Sequence, residues 1–373
     1  MKHRWVVGIA VLACLVVAGG AAARSQLATS SKATKVTLQL KWVTQAQFAG
    51  YYAAKAKGYY AQAGLDVNLK VGGPTITPEQ VVLGKQAEFG IDWVPSLLSF
   101  RDGGKKIVQI SQVFSRSGMT ELTWKDTGIT TIAKMRGKKV GVWCCGNENE
   151  LYAALVKNGM DPKNKNDVTI VNQPFNMDLF LNRDVDAAAA MTYNELAQVL
   201  ESKNPKTGKL YQLSDLNVIS MENAGKGAGT SMLQDEIFVR DDWIKDKKNQ
   251  AIAKKFLAAS FKGWIYCRDH AGDCVKIVLK NGPALPGGHQ RWQMNEVNAL
   301  IWPNKLGIGI TDSKAFSRTA KIAQQFKVIN NAPSGAYRVD LAKAAVAQLK
   351  AQGVDVYGKK WKKAKVKVTE GGK

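Results

Sequence analysis

The stretch Val36-Thr37-Leu38-Gln39-Leu40-Lys41-Trp42-Val43-Thr44-Gln45-Ala46-Gln47-Phe48-Ala49-Gly50-Tyr51-Tyr52-Ala53-Ala54-Lys55-Ala56-Lys57-Gly58-Tyr59-Tyr60-Ala61-Gln62-Ala63-Gly64-Leu65-Asp66-Val67 decides how this chain folds. Val36, Leu38, Leu40 and Trp42 alternate with Thr37, Gln39 and Lys41, the period of a strand. Phe48, Tyr51, Tyr52, Lys55 and Tyr59 then recur at helical spacing. Gly64 stops the helix, because glycine reaches the left-handed conformation without steric cost. Leu65–Val71 alternates again as a second strand. A helix therefore starts just past the carboxyl end of a strand. In an open α/β sheet ligands bind at such a place, and the N–H groups of a helix start can hold polar ligand atoms.

Outward from this unit the alternation continues. Strands are expected at Val36–Trp42, Leu65–Val71, Ala87–Trp93 and Ile107–Phe114, separated by helices at 46–62, 77–84 and 95–102. That order argues for a largely parallel sheet covered on both faces. The segment 118–128 reads as a crossing into a second lobe. There Lys139–Trp143, Val168–Val171, Ala187–Met191 and Asn217–Met221 read as strands, with a helix at 148–158. Glu222–Gly229 reads as the return crossing and Leu233–Val239 as the strand that re-enters the first lobe. Helices are expected at 241–281 and 288–304, then at 312–328 and 338–352. The resulting expectation is an α/β chain of two lobes with a cleft between them. Lobe one is 36–122 plus 230–310, lobe two is 123–229, a helical appendix covers 311–358 and a basic tail 359–373. Two crossings are how a hinge-closing binding protein is built.

Four blocks carry a family resemblance: LKWVTQAQFAGYYAAKAKGYYAQAGLDV, GKQAEFGIDWVPSLL, MRGKKVGVWCCGNENELYAALVKNGMDP and DVDAAAAMTYNE. In this order and spacing the chain resembles the bacterial ABC-transporter substrate-binding proteins of the thiamine-pyrimidine-synthase-like family, over roughly residues 36–310. The resemblance implies a type II periplasmic-binding fold and an ABC permease as partner. It also implies capture of a small aromatic heterocycle, a pyrimidine precursor of thiamine or, in one branch, riboflavin. Fungal relatives are enzymes that make the thiamine pyrimidine with pyridoxal phosphate, using a histidine and a cysteine-rich run. The matching regions here are around Ser96 and at Gly229–Leu233, and neither holds those residues. That departure favours a binding protein without catalytic residues or cofactor over a synthase.

The chain has 373 residues, enough for two domains, and a net charge of +23. Such a charge suits nucleic acid, anionic lipid or cell-wall polymer. The lysines, however, are scattered, and the densest run, Lys359–Lys367, reads as a solvated tail. No nucleic-acid motif accompanies it, so a nucleic-acid partner is not expected, and a monomer is. Lys2, His3 and Arg4 precede an apolar run and Ala21-Ala22-Ala23, the pattern of an export signal over residues 1–23, with 24–35 as a flexible leader. The expected location is the periplasm or the outer face of the cytoplasmic membrane. Cys267 and Cys274 bracket six residues, and in an exported chain either a disulfide or two free thiols fits. Cys144 and Cys145 are adjacent and expected to be free. Three histidines and no zinc-finger spacing argue against a metal site.

Candidate ligand contacts lie at predicted strand ends. Trp42 offers a ring face, and Gln45 and Gln47 offer amide edges. The competing reading makes Trp42 core and the glutamines solvated. Asp92 and Trp93 follow the next strand; Asp92 suits a ring N–H or a helix cap equally, and Ser96 suits a cap. In lobe two, Trp143, Gly146 and Asn147 follow a strand, with Gly146 permitting close backbone approach and Asn147 alternatively an N-cap. Tyr193 and Asn194 follow another, Tyr193 as a second stacking face or a surface tyrosine. The pair Asp235-Glu236 near the return strand is a lesser candidate, or equally a surface turn.

Overall fold

The computed structural model describes residues 33–222 and 227–373, together with Met1. The expected export signal and most of the leader lie outside the described residues. Two five-stranded sheets form the frame. The first contains β1 (Thr34–Gln39), β2 (Leu65–Lys70), β3 (Phe89–Asp92), β4 (Ile107–Gln112) and β10 (Glu236–Arg240) in the order β2-β1-β3-β10-β4. The second contains β5 (Met119–Trp124), β6 (Lys139–Val142), β7 (Thr169–Asn172), β8 (Ala187–Met191) and β9 (Leu216–Ser220) in the order β7-β6-β8-β5-β9. The two sheets share one plan. Three parallel strands are followed by one antiparallel strand that a crossing has just delivered, β5 outward and β10 on return.

Met119–Trp124 corrects the expected lobe boundary. Residues 118–122 read as the end of lobe one, but β5 pairs with β8 and β9 in the second sheet. The crossing is thus the short segment 113–118. All six β5 residues are buried, polar ones included, so the strand lacks the alternation that would have marked it.

The first-lobe helices are α1 (Ala49–Ala56), α2 (Tyr59–Gln62), α3 (Pro78–Leu83) and α4 (Val94–Asp102); the second lobe carries α5 (Asn149–Lys157), α6 (Asp178–Leu181) and α7 (Glu195–Leu200). The helix expected over 46–62 is broken at Gly58, whose φ is +72. The single helix expected over 241–281 is three: α8 (Asp241–Lys245), α9 (Lys247–Asp269) and α10 (Ala271–Asn281). Asp246 starts α9 as an N-cap, its side chain accepting from the Lys248 backbone N–H at 2.7 Å. α11 (Gly287–Ile301), α12 (Ser313–Gln325) and α13 (Asp340–Ala351) follow. α13 packs on α9, and Phe316 and Ala320 of α12 join Leu97 and Leu98 of α4 in one cluster, so this helical appendix is an outer layer of the first lobe. α1 and α9 cross in close contact at Gly50 and Gly263; a Cβ on Gly50 would fall inside the Trp264 ring.

Both cysteine pairs are bridged. Cys267 at the end of α9 joins Cys274 in α10, with Cα atoms 5.4 Å apart. Cys144 and Cys145 are also bonded to each other, which corrects the expectation that they are free. Closing the short 267–274 loop contributes about 2–3 kcal/mol. Alkylation of the denatured protein without reductant is expected to label none of these four cysteines, and peptide mapping would show the two pairs. Labelling at Cys144 and Cys145 alone would return that pair to the free thiols first expected.

The basic tail is anchored at particular points. Lys363 Nζ bonds Glu296 of α11 at 2.6 Å, and Ala364 exchanges two hydrogen bonds with Asn295. Val368 packs on the second-lobe core, Lys203 pairs with Glu370 at 2.7 Å, and the Gly371 N–H donates to the Glu201 carbonyl at 3.0 Å. The segment straps one lobe to the other, while its lysines lie exposed to solvent as their composition implies.

Candidate functional site

Four parallel strands point their carboxyl ends at the space between the lobes, two from each sheet. β1 leads to Trp42, β3 to Trp93, β6 to Trp143 and β8 to Tyr193. These rings line a slot with about 330 Å³ of empty space. Gln45, Gln47, Asn147 and Asn194 supply its polar edges, and Lys41, Met191 and Glu195 complete it. Tyr193 is buried, and burial raises its hydroxyl well above the usual range. Trp143 is buried too, and among the described residues its indole N–H has no acceptor.

One carboxylate organises the first-lobe wall. Asp235 accepts from Trp93 Nε1 at 3.0 Å and from Gln47 Nε2 at 2.9 Å. Gln47 Oε1 in turn accepts from Gln45 Nε2 at 2.7 Å. Asp235 sits at φ +39, uncommon for a residue with a side chain, as part of the turn that aims its carboxylate at both donors. Burial pushes it up to about 7, against the lowering pull of the Gln47 bond and of nearby Lys41. In the opposite wall Glu195 accepts from the Met191 N–H at 3.0 Å and from Asn194 Nδ2 at 2.6 Å, and burial raises it to about 7 as well.

The structure thus brings Trp42, Gln45, Gln47, Trp93, Trp143, Asn147, Tyr193 and Asn194 together. Three candidates are corrected. Asp92 lies behind the wall, ion-paired with Lys41 and accepting from the Trp93 backbone N–H at 2.6 Å, so it neither faces the slot nor caps a helix with its side chain free. Its charge is used to neutralise a lysine that reaches inward over the Trp93 ring, 4.9 Å from the centroid. Gly146 does not line the slot. A Cβ there would come 2.6 Å from Ser96 Oγ, so the glycine lets the second-lobe loop rest on α4. Ser96 itself is buried inside that helix and caps nothing. Glu236 pairs with Asp92 across β10 and β3 and is buried without a hydrogen-bond partner among the described residues; burial, with Glu79 and Asp92 nearby, raises it well above the carboxylate range.

The first turn at Ala46 is also not free for a ligand, because its N–H donates to Gln290 and Gln293 of α11, at 2.7 and 2.8 Å. Asn147 closes its own loop, Nδ2 donating to the Cys144 carbonyl at 2.7 Å, and the N-cap of α5 is Glu148. Of the pair Asp235-Glu236, weighed in the sequence as a lesser candidate or a surface turn, Asp235 is the member that joins the slot wall. What distinguishes the two is which face of the return segment each side chain takes.

Comparison with known proteins fits this geometry. The family described as NMT1/THI5 like matches residues 45–272, more than half of the chain. The chain belongs to that family. Its match begins at Gln45 and includes the turns that carry Trp93, Trp143, Tyr193 and Asp235. The riboflavin-binding protein RibY of Chloroflexus aurantiacus is 24% identical over 301 residues, which are 76% of this chain and 79% of that protein. Among solved structures, the periplasmic nitrate-binding protein NrtA of Synechocystis PCC 6803 superposes with a TM-score of 0.60 at 13% identity, covering 88% of this chain and 92% of its own. The alkanesulfonate-binding protein SsuA of Xanthomonas axonopodis pv. citri gives 0.57 at 15% identity, covering 83% and 97%. The fold is the two-lobed type II periplasmic-binding fold.

Proposed function

We propose that this protein is the exported solute-binding subunit of an ABC importer, working as a monomer with a membrane permease, and that it captures a small planar nitrogen heterocycle of the flavin or thiamine-pyrimidine kind. The observation that carries this reading is the aromatic slot between the lobes, walled by Trp42, Trp93, Trp143 and Tyr193. Flat aromatic faces with few fixed polar edges suit a heteroaromatic ring. RibY, by its name, binds riboflavin, and the solute-binding names of NrtA and SsuA favour uptake. A synthase reading is less well supported, since Ser96 and Gly229–Leu233 stand where the related enzymes carry their histidine and cysteine run.

Three tryptophans line the slot, so intrinsic fluorescence reports on it directly. Riboflavin or a thiamine pyrimidine is expected to change the emission and raise the melting temperature, and native purification followed by mass spectrometry is expected to release such a compound. A flat titration with every member of both classes, and no heterocycle released, would remove this substrate class.

A further inference from the structure

The cleft is held shut from both sides, each lobe lending the other one aromatic ring. Phe175 belongs to the second lobe, at the tip of the loop that follows β7. Gln173 and Met177 pin that loop on either side. Both are buried, Gln173 Nε2 donates to the Ala189 carbonyl at 2.9 Å, and Met177 joins the second-lobe cluster that includes Trp124 and Phe180. Between these anchors the Phe175 ring is 45% exposed and stacks on Trp42 of the first lobe, ring centroids 6.0 Å apart and planes 18° from parallel. Trp42 is only 9% exposed, and its carbonyl accepts from the Gly72 N–H of its own lobe at 3.0 Å. A ring from the second lobe thus covers a slot wall of the first.

The first lobe returns the contact through α11. That helix packs on α10 and takes the Ala46 N–H on Gln290 and Gln293, which fixes it to lobe one. Its Trp292 reaches across. The half-buried ring packs on the second-lobe cluster that includes Trp124 and Phe180, and Nε1 donates to the Thr192 carbonyl at 2.9 Å. On the same helix His289 Nε2 lies 2.8 Å from Asn194 Oδ1. Thr192 and Asn194 flank Tyr193, so a first-lobe helix holds the slot's second-lobe ring in place. All of these contacts are made between protein groups, so none of them needs a ligand.

Resting on the binding-protein reading above, we propose that Phe175 and Trp292 form a reciprocal latch. The latch keeps the lobes closed without ligand and must release before a ligand enters or leaves. Burying ring surface between the lobes favours the closed state. A closed state that has to open slows entry as well as exit. Phe175 and Trp292 act on the slot through Trp42 and through the segment around Tyr193, so they are positioning residues.

Riboflavin is the probe for stopped-flow fluorescence with Phe175→Ala, Trp292→Phe and the two combined. Trp292→Phe keeps a ring on the second-lobe cluster and removes the N–H that the Thr192 carbonyl accepts. Each variant is expected to speed both association and dissociation, and the pair to speed each by about tenfold. Faster association is the deciding sign, because damage to a slot wall speeds dissociation alone. Phe175→Tyr keeps the stacked ring and is expected to return both rates to near those of wild type. Small-angle scattering of ligand-free protein gives a second readout. Wild type is expected to match the closed structure, and the double variant to have a larger radius of gyration. If riboflavin binds but association is unchanged or slower in the double variant, the latch is wrong while ring binding stands. The same holds if ligand-free wild type is as open as the double variant. If riboflavin does not bind, a flavin-type ring in the slot falls, and the scattering result alone upholds or overturns the latch.

Discussion

Asp235→Ala is expected to lower affinity for the bound heterocycle by about two orders of magnitude while the protein stays folded. The substitution strips the acceptor from two buried donors at once, Trp93 Nε1 and Gln47 Nε2. Each buried donor left unpaired costs about 1–3 kcal/mol, and each ~1.4 kcal/mol is tenfold in affinity. The loss spreads further, because Gln47 orients Gln45. Asp235→Asn keeps the shape and one acceptor oxygen but turns an amide N–H toward the second donor, so an intermediate loss is expected. Trp42→Ala removes one ring face and leaves this network intact, and a loss of somewhat more than tenfold is expected from lost burial and stacking. The bonding pattern uses the ionised form of Asp235, which burial holds at about 7. Wild-type affinity is accordingly expected to rise as pH climbs through 7, and Asp235→Asn to flatten that rise. Equal affinities for wild type and Asp235→Ala would show that the wall does not need this carboxylate.

The second large effect concerns stability, at the hinge. Glu150 of α5 lies where both crossings meet. Its carboxylate accepts from Ser117 Oγ at 2.8 Å and from Gln234 Nε2 at 2.7 Å, and the Gln234 side-chain oxygen accepts from the Gly118 N–H at 2.9 Å. Ser117 and Gly118 belong to the outgoing crossing and Gln234 to the return. Burial outweighs these bonds and pushes Glu150 up to about 8 from an ordinary 4.5. The folded protein therefore holds a proton that the unfolded chain gives up. This contribution is fully present below about pH 4.5 and is lost as pH rises through about 8, at roughly 1.4 kcal/mol per pH unit within that window. Asp235 and Glu195, both raised to about 7, act in the same direction. Urea unfolding is expected to show stability falling between pH 5.5 and 8.5. Glu150→Gln mimics the protonated acid, its oxygen accepting from Gln234 and its amide donating to Ser117. It is expected to be close to neutral at low pH and stabilising at pH 9, with a shallower pH slope. An unchanged slope would place the linked proton elsewhere.

Much of the architecture was legible because it rests on short-range signals. The alternation of Val36, Leu38 and Leu40, the glycine stop at Gly64 and the strand–turn–helix units around Trp93, Trp143 and Tyr193 are local, and they located eight residues that the structure gathers around one slot. β5 escaped because a strand buried on both faces has no period to read. The lysine run is solvated as its composition implies, but its role as a strap escaped because its anchors, Glu296 and Glu201, sit far away in sequence on facing lobes.

The chain by itself determined most of the order of elements, that there are two crossings, and the strand ends that form a cleft, since periodicity and turn chemistry act between residues close in sequence. Only the tertiary structure decided which polar groups face a ligand and which face one another. Lys41 finds Asp92, and Gln47 and Trp93 find Asp235, across separations of 51, 188 and 142 residues. Those pairings follow from burial. A charge or an N–H removed from water must be matched by whatever the fold places beside it, and no local pattern of letters records that neighbour.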